Sequence, residues 1–367
     1  MDTIDVELIK NGIENENLLN MQAKNEVAIY VSNVLAGNFP EIHLNFNTLF
    51  ISINKVKMYI ADMPQNQVGA CYFYKNNSIY FKRGLDLHTI KELAVHECIH
   101  HFQEIKDSNG VLHRMGLCSY VGNKAYGNAL NEASVQLMAS YANHQKSDTV
   151  TYYGISLPTD SPNYYPLLCN LMKQIANLTG FGILFESTFY SNDAFFEKFK
   201  STFGIDNAFQ IQKNFEKILD IETKINLLNN RIQNEELNYK QFNRLSKIVA
   251  KEKEKIKNTF FDTQNLIITS YFDRRIKEIK SISEIDDYRK SLYRFSNLIG
   301  TTTNYTFFND YYIKKMSVLD SMYEKMNENV SLVVQNSNKF LKLISIIKKL
   351  FVKDKNYEGN ENSNIQF

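Results

Sequence analysis

The chain has 367 residues, 44% of them hydrophobic and 13% aromatic, with 22 Tyr, 25 Phe and no Trp. That length and composition suit a sizeable core and a two-domain chain. A net charge of +2, from 42 basic and 40 acidic residues, argues against a dedicated nucleic-acid binder, and no apolar run reaches the length of a membrane span.

The amino-terminal stretch "MDTIDVELIKNGIENENLL" has neither a basic n-region nor an apolar h-region. A cytoplasmic protein without a secretory signal is therefore expected. Cys71, Cys98, Cys118 and Cys169 form no CxxC pair and read as buried free thiols of a reducing compartment. The abundance of Lys, Asn and Ile fits an AT-rich bacterial coding sequence.

Residues 1–37 carry apolar positions at helical spacing, with Gly37 placed as a C-cap. "EIHLNFNTLFISI", after Pro40, alternates and is rich in β-branched and aromatic residues, which predicts a strand. "VKMYIAD" predicts another. "VGACYFY" and "SIYF" predict a hairpin around Lys75-Asn76-Asn77. The period then switches. Thr89 with Glu92 forms a capping box, and Ile90, Leu93, Ala94, Ile99 and Phe102 recur at helical steps.

"KDSNGVLHRMGLCSYVGNKAYGN" reads as a long loop and "ALNEASVQLMASYANHQ" as a second helix. Residues 151–166, rich in proline, read as an irregular crossing. "LLCNLMKQIANLTG" is a helix closed by Gly180, and further helical pattern runs to Gly204. From about 205, a heptad-like stripe through Ile218, Ile221, Ile225, Leu228, Ile232, Val249, Ile256 and Phe260 predicts two long helices folded on each other, or an intermolecular coiled coil. "NKFLKLISIIKKLFVK" predicts a short amphipathic helix that seals a helical core; the alternative is a membrane-surface helix. The last residues are expected to be disordered.

The pentad His96-Glu97-Cys98-Ile99-His100 lies within the first of the central helices. Residues four apart share a helix face, so His96 and His100 can aim two imidazole nitrogens at one divalent cation. Glu97 lies on the neighbouring face, long enough to reach a water on that cation and take its proton. Cys98 lies opposite, on the core face.

"VHECIHHF", preceded by strands and followed by a Glu-bearing helix, resembles the zincin metallopeptidases over residues 40–145. The extended metzincin pattern would need Gly at 103 and His at 106, where the sequence has Gln103 and Lys106. The resemblance to the gluzincin form implies a Glu ligand from a second helix, and Glu132 in "NALNEASVQL" fits best; His113, His144 and Glu104, in line with the two histidines a turn further along, are rivals. Gln136 stands where such helices often carry an acid that orients a ligand His, so that support is unassigned. His101 reads as a surface or supporting group, and His43 and His88 as structural. Tyr120, Tyr126 and His113 are open candidates for stabilising the tetrahedral intermediate. The resemblance also implies a substrate strand laid along an edge, which Val68–Tyr74 would supply.

The expected architecture is α+β: a zincin-like domain over 1–204, an α-helical domain with long helices over 205–352, and a tail over 353–367. The expected function is a zinc-dependent peptidase with Glu97 as general base, Zn2+ held by His96, His100 and Glu132, and no other cofactor. A protein or peptide would be the substrate, and the helical half a surface for a protein partner or self-association. The competing expectation is a helical interaction protein whose pentad is a relic or a structural clip.

Overall fold

A computed structural model describes residues 3–64, 69–122, 124–299 and 307–354. In chain order, its elements begin with α1 (Thr3–Lys10), β1 (Glu14–Leu18), α2 (Met21–Asn38), α3 (Phe46–Ile53), β2 (Lys57–Asp62), β3 (Ala70–Phe73) and β4 (Ser78–Lys82). Next come α4 (Leu87–Phe102), β5 (Glu104–Lys106), β6 (Leu112–Met115), β7 (Cys118–Val121), β8 (Lys124–Tyr126), α5 (Asn128–Ala142), β9 (Asp148–Tyr152) and β10 (Ile155–Thr159). The rest is helical: α6 (Pro166–Thr179), α7 (Phe181–Tyr190), α8 (Ala194–Phe203), α9 (Ile205–Asn234), α10 (Tyr239–Glu278), α11 (Ile282–Ile299) and α12 (Phe307–Asp354). The fold class is α+β.

The first sheet has the order β1-β2-β4-β3, with β2 and β4 parallel and the other pairs antiparallel. β3 is an edge strand, where the resemblance placed one, and it pairs with β4 as the hairpin reading expected; Val68 itself lies outside the described residues. Helix α4 packs on α2, on α5 and against β3. Val95, Cys98 and Ile99 of α4 are fully buried, as are Val27, Val31 and Leu35 of α2. This apolar anchoring fixes the rotation of α4 and hence the direction in which its histidines face.

Several local expectations are corrected. "FNTLFISI" is helix α3, not a strand: the Asn45 side chain accepts from the Thr48 N–H as an N-cap, and Leu49 and Ile53, one turn apart, are its buried residues. The 1–37 segment is interrupted by β1, which pairs with β2. Gly37 lies inside α2, which Phe39 ends. Helix α4 starts three residues earlier than the capping box implies, because Asp86 is the N-cap and Thr89 N–H is the donor it satisfies.

The expected long loop is a four-stranded antiparallel meander, β5-β6-β7-β8, turning at Gly110, Gly116 and Gly122, all at positive φ. At Gly116 a Cβ would sit 2.1 Å from Asn131 Oδ1, so only glycine fits that turn. Of the expected irregular crossing, residues 151–159 belong to the hairpin β9–β10, and 160–165 are irregular as read. Gly180 and Gly204 close α6 and α8 at positive φ, as read. All four cysteines are free thiols, three buried and Cys71 partly so.

Two compact units emerge: Met1–Arg275 with Tyr293–Thr306, and Ile276–Leu292 with Phe307–Phe367. The boundary expected at 205 thus falls inside the first unit. The reason is α9, which packs on α5 and α8 and whose Glu216 accepts a hydrogen bond from the Ala129 N–H at the start of α5. Helices α9 and α10 are linked by Lys224 and Glu252, 2.6 Å apart. In the second unit, Arg289 pairs with Asp320 of α12 and stacks on Tyr323. The amphipathic segment expected as a short helix is the distal part of the 48-residue α12. The tail expected over 353–367 lies, from 355 on, outside the described residues.

Candidate metal centre

His96 and His100 project from one face of α4, and Glu132 from the first turns of α5. His96 Nε2 and His100 Nε2 are 3.0 Å apart. Glu132 Oε2 is 3.4 Å from the first and Glu132 Oε1 is 3.6 Å from the second. All three donor atoms lie within 4.8 Å of one another.

A tetrahedral ion about 2.0–2.1 Å from its ligands sets those ligands about 3.3 Å apart. The three separations bracket that value, so the group could hold a metal ion with little side-chain movement. No other cluster of three or more His, Cys, Asp or Glu among the described residues has this geometry.

The protons on the outer nitrogens strengthen the case. His96 Nδ1 lies 2.9 Å from Gln136 Oε1, and His100 Nδ1 lies 3.0 Å from Gln103 Oε1. Each glutamine is oriented by what its amide nitrogen donates to. Gln136 donates to the Ser161 hydroxyl, and Gln103 to the Thr188 carbonyl. Both oxygens therefore accept from Nδ1–H, which puts the lone pair of each neutral imidazole on Nε2. Two lone pairs and a carboxylate converge on one point, an arrangement that needs a positive charge. Gln136, which broke the acidic pattern of the resembled family, thus fills the supporting role with an amide, and Gln103 does the same for the second histidine.

A proton on His100 answers the same need for positive charge. Burial alone would depress His100, but Glu132, with Glu97 and Gln103, outweighs it and lifts the imidazole to about 9. Burial would raise Glu132, but His100 and His96 hold it well below the usual carboxylate range. Glu97 is raised, first by burial and then by Glu132, against the pull of the two histidines. Its Oε2 accepts a 2.6 Å hydrogen bond from the backbone N–H of Tyr72, on the edge strand β3. Glu97 is buried yet lines the same cavity as the three donors.

That cavity, about 340 Å³, is also lined by Ala70, Cys71 and Tyr72 of β3 and by Tyr120, Tyr164 and Tyr165. A second, polar cavity of about 230 Å³ shares Leu93, His96, Gln136 and Tyr164 and extends to Glu92, Asn143 and Asn163.

The rival ligands are elsewhere. His113 is exposed and sits 3.2 Å from Asp107, and His144 ends α5 with a positive φ. Glu104 accepts from the Tyr72 hydroxyl and pairs with Lys106. His101 bridges Ser52 and the Tyr72 hydroxyl, behind β3. Of the tyrosines weighed from sequence, Tyr120 reaches the cavity and Tyr126 is exposed.

Tyr165 was not foreseen. It caps α6 in the left-handed region, with φ 49°, and is half-buried; burial and then Glu132 raise its phenol well above the usual value. The only sequence signal is Pro166, which cannot share its predecessor's α conformation and so marks the start of a helix without a side-chain cap. Comparison of the chain with protein-family models, with curated proteins and with solved structures finds no match.

Proposed function

We propose that the protein is a zinc-dependent peptidase of the zincin kind. The observation that carries the reading is the convergence of two Nε2 lone pairs and the Glu132 carboxylate beside a buried acid, all facing one cavity. Two imidazoles and a carboxylate form a donor set that zinc favours and that catalytic zinc sites use. Three protein donors leave a fourth position toward the cavity, whereas a purely structural site closes with four. That distinction favours catalysis over a structural clip.

When bound, zinc would acidify a water and polarise a scissile carbonyl. The chain's own groups do the rest. Gln136 and Gln103 hold the ligand imidazoles in one tautomer and one orientation. Glu97, its carboxyl raised by burial, takes the proton and returns it to the leaving amine. The Tyr72 N–H fixes the carboxylate's rotamer. The outer edge of β3, apart from the Tyr72 N–H that Glu97 holds, offers a peptide backbone a strand to pair with.

The test is zinc content and peptide hydrolysis measured side by side. Glu97→Gln is expected to keep a full equivalent of zinc while the rate on a degenerate peptide library falls about 10²–10⁴-fold. Wild-type turnover by Glu97→Gln protein would overturn the reading.

A further inference from the structure

We propose that the distal end of α12, residues 338–354, is an amphipathic anchor that lies in the plane of an anionic lipid surface. The described side chains 338–343 and 345 are all exposed, apolar and charged alike. Phe340 and Leu341 are each 62% exposed and Leu343 is 54% exposed. The proximal part of the same helix behaves differently: Phe308, Tyr311 and Leu319 are buried there. Among the described residues, Phe340, Leu341 and Leu343 therefore seal no core, although the pattern of the segment demands apolar cover. In sequence, Phe340, Leu343, Ile344, Ile347, Leu350 and Phe351 recur at three- and four-residue steps, one continuous face of a helix. Lys339, Lys342, Lys349 and Lys353 recur on the remaining arc.

Charge selects the occupant. Residues 338–354 hold five lysines and one acid, Asp354, whereas residues 307–337 of the same helix hold three lysines and four acids. The basic character is thus confined to the stretch with the uncovered face. In a second copy of the chain, the cations at the borders of the apolar face, Lys339 and Lys348, would meet lysines and not acids. A phosphate-bearing bilayer supplies apolar cover and negative charge together. The helix cannot cross that bilayer: no described helix is long and apolar enough to do so. It would lie flat over about 25 Å, apolar side down, with lysine stems reaching up to the headgroups.

Sedimentation of the full chain with large vesicles tests this. Vesicles of phosphatidylcholine containing phosphatidylserine are expected to carry the protein down, and vesicles of phosphatidylcholine alone to bind it at least about tenfold more weakly. Phe340→Asp with Leu343→Asp, and separately Lys342→Glu with Lys349→Glu, should each reduce binding by about tenfold or more, at unchanged helix content by circular dichroism. Absence of binding to either vesicle, equal binding to both, or wild-type binding by both variants would overturn the proposal. So would a lipid-free dimer that the Phe340/Leu343 variant dissociates, since the face would then belong to a second copy.

Discussion

Helices α4 and α5 bury polar side chains, whereas the distal end of α12 exposes apolar ones. Both invert the usual distribution, and the physical consequences differ. Between α4 and α5, the buried polar set comprises Glu97, His100, Gln103, Asn131, Ser134, Gln136 and Ser140. Each has a hydrogen-bond partner, and the network ends on three atoms whose shared need is a cation. A satisfied buried network rigidifies what it surrounds. The end of α12 has no such closure, and its cost is relieved only by something outside the described chain. In the two proposals above, inverted burial marks ligand chemistry in both places, inside the fold for an ion and outside it for a surface.

Removing a ligand should break the first region most severely. His96→Ala and Glu132→Ala are each expected to purify with almost no zinc under conditions where wild type holds one equivalent. Zinc in Glu132→Ala at the wild-type level would detach the carboxylate from the centre.

Next in size is Glu222 on α9, which departs from the rule of satisfied burial. It is buried, its Oε1 has no hydrogen-bond partner, and burial pushes its carboxyl up to about 8. The folded value exceeds the unfolded one, so the neutral acid favours folding at low pH, and that stability drains away as pH rises from about 4.5 to about 8. Glu222→Gln should therefore gain stability over wild type with rising pH, on the order of 3 kcal/mol at pH 8 relative to pH 5. Thermal melts at the two pH values check it; a constant difference would show that Glu222 is ionised in the native protein.

Gln136→Ala probes the network more gently. It frees the Nδ1–H of His96, and zinc affinity measured by chelator competition should fall about 10–100-fold while zinc still binds. The smallest effect belongs to the other region. Phe340→Asp with Leu343→Asp should change the melting free energy by no more than about 0.5 kcal/mol without lipid, since both side chains are already in water. A larger loss would mean that the face packs within the chain.

The pentad, the helix that carries it, the hairpin that ends in an edge strand and the second helix were legible because each writes its own period into the sequence. Glu132 was legible only through a resemblance, since nothing local ties a residue on α5 to one on α4. Helix α3 was misread because alternation and β-branching describe a strand as well as a short helix, and one Asn45 cap decided between them. The meander was misread because strands of three or four residues with a glycine at each turn leave too few alternations to count.

The order of residues alone determined that two imidazoles sit one helical turn apart with an acid beside them, and that a basic, apolar helix comes late in the chain. Only the tertiary structure decided that Glu132 meets those imidazoles, that Gln103 and Gln136 orient them, and that Tyr165 reaches their cavity. It also decided that Phe340, Leu341 and Leu343 of the late helix stand exposed. Periodicity is a property of neighbours along the chain. Convergence of lone pairs and exposure of a face depend on how distant helices pack, and no short-range rule encodes that.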